Sequence, residues 1–346
     1  MESIINPADL IIRPPEPVWV VRLVNGDYAF HWPEPAELVS IYVVDSPNPA
    51  AEPIAAYEFR MKGSERSVVC GLSSVAGQSR LYFLLDLDGR RHLIAERTLP
   101  LPGGVNFRDM GGYRTNDGRL VRWGQVYRAG SLAELSDEDV AYLQRLGLRL
   151  SCDLRSPDEV ADHPDRLPPG AEARHLPIAA EVGRLRRAVT LLRKRHRIQE
   201  LLQQVYTVMI DQNGPIFAGV IRTAADPAHR PLVIHCTAGK DRTGLAAALM
   251  LLALGVPEET VIADYTLSNQ AFDILAGRMR PEMERLYAFG FGEVQVRPFL
   301  LAEARTLAGA LAHLRRRYGS VEWYLLRAGL DEATLERLRE TLLAAD

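Results

Sequence analysis

The sequence predicts two units. A small all-β sandwich of immunoglobulin or fibronectin type covers residues 1–98, and an α/β unit covers 105–346, its mostly parallel sheet flanked by helices. A linker at 99–104, Leu-Pro-Leu-Pro-Gly-Gly, joins them. Three observations carry this reading. The first hundred residues alternate short β-branched and aromatic runs with turn signals. After the linker the pattern changes to apolar strands alternating with amphipathic helices, which implies parallel pairing. The 346 residues suffice for two cores.

In the first unit the strand candidates are Val18–Val24, Leu38–Val44, Ala55–Arg60, Ser67–Gly71, Arg80–Leu87 and Arg91–Arg97. Asp88-Gly89 between the last two is a hairpin signal. Nine prolines between Pro7 and Pro53 disfavour helix and guard strand edges. In the second unit Ser136 is placed to cap a helix over Asp137–Leu146, with acids in its first turn and Gly147 at its end. Leu148–Leu154 reads as a strand, 181–212 as a long helical stretch broken near Ile198, and Leu232–His235 as a buried strand. Thr243–Leu254 reads as a buried helix stopped by Gly255. Further helices are expected at Glu258–Asn269, Pro281–Phe289, Pro298–Tyr318, Val321–Arg327 and Glu332–Leu343.

Composition narrows the function classes. A net charge of −3 argues against a general nucleic-acid binder. Cys70, Cys152 and Cys236 are too few and too scattered for a disulfide framework or a zinc site, so no metal or other cofactor is expected. The N-terminus has no basic flank or long apolar core, so it does not read as a signal peptide. The longest apolar stretch, Leu245–Val256, falls short of a membrane span. A cytoplasmic location is the default expectation. Only Lys62, Lys194 and Lys240 are lysines among 41 basic residues, which singles out Lys240 inside the loop described next.

The informative segment is Pro231-Leu-Val-Ile-His-Cys-Thr-Ala-Gly-Lys-Asp-Arg-Thr-Gly244. An apolar strand runs into Cys236, five residues follow, and Arg242 opens an apolar helix. The amides of Thr237, Ala238, Gly239, Lys240, Asp241 and Arg242 can curl into a nest at a helix N-terminus, which favours an anion. A cysteine in that field falls from about 8.5 toward roughly 3.5–7.5 and becomes a nucleophilic thiolate. Arg242 can hold two phosphate oxygens with its planar fork, and the Thr243 hydroxyl can hydrogen-bond a leaving thiolate. This is the order of parts that phosphoryl transfer to a cysteine needs. A structural cysteine at a strand end is the duller alternative.

HCTAGKDRTG resembles the signature of the protein-tyrosine-phosphatase superfamily, specifically the bacterial tyrosine phosphatases with an HCxAGKDRTG loop. Asn106–Tyr113, Val126–Gly130, Asp153–Val160, Asp264–Asn269 and Tyr318–Val321 are similar to that family's recurring blocks, so the resemblance runs from about 105 to the end. It implies a PTP-like fold, Cys236 as nucleophile, Arg242 as phosphate clamp, His235 and Thr243 in support, and no metal. It implies a phosphorylated protein or a phosphoinositide as partner. The implied activity is phosphotyrosine hydrolysis, extending in some members to phosphoserine, phosphothreonine or phosphoinositides. A phosphoinositide phosphatase and a non-catalytic phosphate-binding module remain alternatives.

The family's general acid is not placed by a separate loop. Arg174-His-Leu-Pro-Ile178 is followed by Ala179, Ala180 and Glu181, with no aspartate. Asp241 within the loop is preferred, and Asp153 and Asp165 stay open. Asp153 would equally fix an arginine, and Asp109 reads as structural. Lys240 could recognise a second phosphate at the pocket rim or pair a nearby acid. Residues 183–197 hold seven Lys or Arg, where relatives carry a lid; a basic lid would steer phosphorylated substrates or touch anionic lipid. If the Cys152 strand neighbours that of Cys236, the two thiols could form a protective disulfide under oxidant.

Overall fold

The computed structural model describes residues 15–72, 80–179 and 198–344. The expected basic lid at 183–197 lies outside the described residues.

The N-terminal region forms two antiparallel sheets. One has the order β1-β2-β5 (Trp19–Arg22, Tyr28–His31, Ser67–Cys70) and the other β4-β3-β6-β7 (Ala55–Arg60, Leu38–Val44, Tyr82–Leu87, Arg90–Ala95). Both contribute to one apolar cluster around Phe30, Val39, Ile41, Phe83 and Leu85. The alternation along β3 explains its burial, Val39, Ile41 and Val43 facing inward. Asp88 and Gly89 both take positive φ, 50° and 87°, as a tight two-residue hairpin turn demands. The sequence reading missed β2, whose Tyr28–His31 run is flanked closely by turn residues and is nearly all buried, so it lacks alternation.

Beyond residue 99 a five-stranded sheet has the order β12-β11-β13-β10-β8. Its strands are Glu172–His175, Leu150–Asp153, Leu232–His235, Val126–Ala129 and Arg108–Asp109. The first four are mutually parallel and β8 runs antiparallel at the edge. A short pair, β9 (Leu120–Val121) with β14 (Leu343–Ala344), ties the chain's end to the sheet unit.

Helices flank the sheet: α1 Asp137–Arg145, α2 Pro157–Asp162, α3 Ile198–Gln212, α4 Gly214–Ala225, α5 Asp241–Ala253 and α6 Glu258–Thr266. Then follow α7 Phe272–Arg278, α8 Arg280–Ala288, α9 Glu293–Leu300, α10 Ala304–Tyr318, α11 Val321–Arg327 and α12 Glu332–Leu342. Helix α5 is apolar all round and almost wholly buried, which places it at the centre of the core. The expected single helix Pro298–Tyr318 is two, α9 and α10, separated around Leu301–Glu303. Helix α4 went unread because Gly214-Pro215 looks like a turn; proline in a first helical turn costs no hydrogen bond.

Leu99 and Leu101, expected in a linker, are buried with Phe107, Tyr127, Leu132 and Leu135. The two β-rich layers also meet through arginines. Arg80 hydrogen-bonds Asp109 and, at 2.9 Å, the Tyr127 hydroxyl. Arg97 donates to the carbonyls of Asp109 and Gly111 at 2.7 and 2.8 Å and stacks over Tyr113 and Trp123. Among the described residues, no helix is long and apolar enough to cross a membrane.

Candidate active site

Parallel pairing brings the C-terminal ends of β10, β11 and β13 to one edge of the sheet, where open α/β folds bind ligands. Three segments follow those ends: Gly130-Ser131, Leu154–Glu159 and the loop Cys236–Lys240 that enters α5.

The loop's shape follows from where its carbonyls go. Thr237 O accepts from Ser131 N at 2.9 Å, and Gly239 O accepts from Asn106 Nδ2 at 3.0 Å and Arg128 Nη2 at 2.9 Å. Outward-turned carbonyls leave the amides of the same peptides to the concave side, the arrangement of an anion nest. Gly239 has φ +68°, and a Cβ there would sit 2.5 Å from the Ala129 carbonyl carbon and Gly130 nitrogen. Only glycine lets the loop rest on β10.

Behind the loop stands a buried charge cluster. Asp264 on α6 accepts from Arg108 Nε at 3.1 Å, Arg128 Nη1 at 2.6 Å and the Tyr113 hydroxyl at 2.8 Å. Burial alone would raise the Asp264 pKa, but Arg108 and Arg128 hold it well below the ordinary carboxylate range. Asn106, in a left-handed conformation at φ 55°, links Arg108 to the loop. The blocks around Asn106, Arg128 and Asp264 are thus the loop's scaffold.

Cys236 sits at the loop's base, buried at 2% exposure. Arg242 is clamped by a residue that the sequence reading had not singled out, Glu159. Its Nη1 and Nη2 donate to Glu159 Oε2 and Oε1 at 2.6 and 2.8 Å, and Nη2 also reaches Thr237 Oγ1 at 3.1 Å. The Thr237 hydroxyl donates back to Glu159 Oε1 at 2.6 Å. Burial disfavours charge on both partners, yet their hydrogen bonds outweigh it. Glu159 is held well below the usual carboxylate range and Arg242 above the usual guanidinium range. Glu159 also closes the capping box of α2 with Ser156, so the helix terminus itself aims the carboxylate. The Ser156-Pro-Asp-Glu159 spacing signals that cap in the sequence, but a partner 83 positions on is invisible there.

The remaining candidates separate into two groups. Asp241 opens α5 beside the loop, its side chain 39% exposed, accepting from the Tyr206 hydroxyl at 2.5 Å. Thr243 is buried, and its hydroxyl has no hydrogen-bond partner among the described residues. Asp153 and Asp165 have a different set of partners from Asp241. Both bond Arg155 Nη2 at 2.7 Å, and Asp165 Oδ2 lies 2.9 Å from Nε2 of buried His235. Burial raises and the Arg155 hydrogen bonds lower the Asp153 pKa, with a net fall. Asp153, Asp165 and His235 have the spacing of a metal-ligand trio, but the guanidinium already supplies both carboxylates with a cation.

Lys240 is not at the rim. Its ammonium is buried and donates to the carbonyls of Phe299 and Leu301 at 2.7 and 3.2 Å, at the end of α9, with Asp241 3.5 Å away. A cation at a helix C-terminus is favourable, so this lysine ties the loop to α9. Cys152 does lie on the strand beside β13, opposite Ile234. Burial pushes its thiol up to about 12, which leaves little thiolate to attack an oxidised neighbour.

A strand–loop–helix anion nest with a cysteine at its base and a clamped arginine at its end defines a phosphatase of the cysteine-dependent class. The tyrosine phosphatase family profile matches residues 99–344, and the chain belongs to that family. It is a phosphomonoesterase. A Cupriavidus necator protein named for tyrosine-protein phosphatase activity is 34% identical over 64% of this chain and 80% of its own. The triple specificity protein phosphatase PtpB of Mycobacterium tuberculosis is 31% identical over 70% of this chain and 98% of its own. The solved structure of P. aeruginosa TpbA aligns with 61% of this chain and 89% of its own, at 17% identity and a TM-score of 0.29.

Proposed function

We propose that the chain hydrolyses phosphotyrosine in protein substrates, with phosphoserine and phosphothreonine as slower substrates, through a cysteinyl-phosphate on Cys236. The observation that carries this reading is the loop itself, with its carbonyls bonded outward and Arg242 fixed by Glu159. Phosphate oxygens would take the inward amides of 237–242, the Arg242 Nε–H and the Nη2–H now directed at Thr237. Cys236 Sγ would attack phosphorus in line. Asp241 would give a proton to the leaving phenolic oxygen and later take one from the attacking water. Thr243 would hydrogen-bond the thiolate as it leaves. PtpB, named for triple specificity, supports a broad substrate range.

A phosphoinositide would ask for a cation at the rim, and the buried Lys240 ammonium does not offer it there, so phosphotyrosine is the preferred reading. We also assign residues 1–98 to a sandwich domain and 105–346 to the catalytic domain, with the 99–104 connection held against the catalytic side by Leu99 and Leu101. A reducing compartment, the cytoplasm, suits a chemistry that needs a free thiolate. The basic run at 183–197 would steer phosphorylated substrates or touch anionic lipid.

The test is hydrolysis of p-nitrophenyl phosphate, a phosphotyrosine peptide, a phosphoserine peptide and a phosphoinositide by wild type and Cys236→Ser, with chelator present. The reading predicts chelator-resistant turnover, greatest on the phosphotyrosine peptide and abolished by the substitution. Greater turnover of the phosphoinositide would replace the substrate assignment.

A further inference from the structure

We infer that Tyr206, backed by Tyr265, is a positioning residue that orients Asp241 so that its Oδ2 carries the proton delivered to the leaving oxygen. The inference rests on Asp241 acting as general acid in the proposed function.

Tyr206 lies on α3 and Tyr265 on α6, and both rings are buried. The Tyr206 hydroxyl donates to Asp241 Oδ1 at 2.5 Å and stands 2.6 Å from the Tyr265 hydroxyl. The two rings meet edge to face at 6.4 Å. A phenol has one proton to give. Tyr206 spends it on Asp241, so the proton between the phenols comes from Tyr265. The direction of the chain is thereby fixed, from Tyr265 to Tyr206 to Asp241 Oδ1. Gly244 leaves room for the far end, because a Cβ there would lie 2.9 Å from the Tyr265 ring.

Asp241 Oδ1 thus accepts from a phenol and has the Lys240 ammonium 3.5 Å away. An oxygen facing donors is the wrong place for the proton of a carboxylic acid. When Asp241 is protonated, the proton belongs on Oδ2. Transfer then runs in one direction. The Oδ2–H bond breaks toward the phenolic oxygen as its bond to phosphorus breaks and Sγ–P forms. The carboxylate left behind keeps the Tyr206 hydrogen bond. Burial, then the charge of Asp241, pushes the Tyr206 hydroxyl well above its ordinary range, so it stays a donor at any working pH.

The experiment uses the full chain as wild type, Tyr206→Phe, Tyr265→Phe, Asp241→Asn and the Tyr206→Phe/Asp241→Asn double variant. kcat is measured across pH on p-nitrophenyl phosphate, a good leaving group, and phenyl phosphate, a poor one. Tyr206→Phe should lower kcat on phenyl phosphate about tenfold more than on p-nitrophenyl phosphate, a fraction of what a positioned acid supplies. In the Asp241→Asn background the same change should add little, because the two act as a unit. Tyr265→Phe should show the same discrimination, smaller. Equal losses on both substrates in Tyr206→Phe, with discrimination retained in Asp241→Asn, would overturn the Tyr206 role alone. If Asp241→Asn itself does not discriminate, the general-acid reading falls and this inference with it. Should Tyr206→Phe not fold, Tyr265→Phe decides, and an unchanged leaving-group ratio there overturns the proposal.

Discussion

Glu159→Ala removes the carboxylate that fixes Arg242 without touching a group assigned to the chemistry. The clamp consists of two charge-assisted hydrogen bonds of 2.6 and 2.8 Å. Each such bond contributes about 1.5–3 kcal/mol when shielded. The Glu159 side chain is 35% exposed and that of Arg242 18%, so solvent screening reduces the pair to roughly 1–2 kcal/mol. Arg242 would then have to be ordered by the substrate itself, and the cost would fall on transition-state binding. At about 1.4 kcal/mol per tenfold, kcat/KM should drop roughly 5- to 30-fold. Glu159→Gln, which keeps one acceptor oxygen, should lose less. The assay is kcat/KM on p-nitrophenyl phosphate, with inhibition by inorganic phosphate as a measure of the empty loop's grip. A Glu159→Ala variant that is folded and within twofold of wild type in both would refute the clamp argument.

Two further substitutions test the scaffold. Gly239→Ala should abolish turnover, because its Cβ would meet the β10 backbone at 2.5 Å and φ is +68°; retained activity in steady-state assays would show that the loop does not rest there. Asp264→Asn should destabilise the fold by about 3–5 kcal/mol near neutral pH, as loss of a buried charge partner does. The folded pKa of Asp264 is depressed, so its contribution is fully present above the unfolded value of about 3.9 and is lost as pH falls through the folded one. The gap in Tm between wild type and variant should therefore narrow below about pH 4; a constant gap in a pH series of melting curves would contradict this.

The fold was legible where local signals agree with tertiary context. Leu232–His235, the hairpin at Asp88-Gly89 and the Ser136 cap each carry their own chemistry, and each stands where expected. Helix α4 and strand β2 were hidden because a Gly-Pro pair and a nearly all-buried four-residue run mimic other structures. At the site, the order Cys236 to Arg242 is contiguous in sequence and could be read directly. Glu159 and Tyr206 could not, since each reaches the loop from another element and makes its sense only in contact. Lys240 shows the converse: a cation in an anion loop invites a ligand reading, yet packing turned it onto the end of α9.

The central claim is that phosphate passes through Cys236. Its most direct test is a rapid denaturing quench at alkaline pH during turnover of a phosphotyrosine peptide carrying labelled phosphate, followed by proteolysis and mapping of the label. Cys236 chemistry predicts label that is stable in base and lost in mild acid, as a thiophosphate ester is, on the peptide that contains Cys236, absent from Cys236→Ser, and accumulating further when Asp241→Asn slows hydrolysis of the intermediate. Label on another residue, or undiminished turnover by Cys236→Ser, would contradict it.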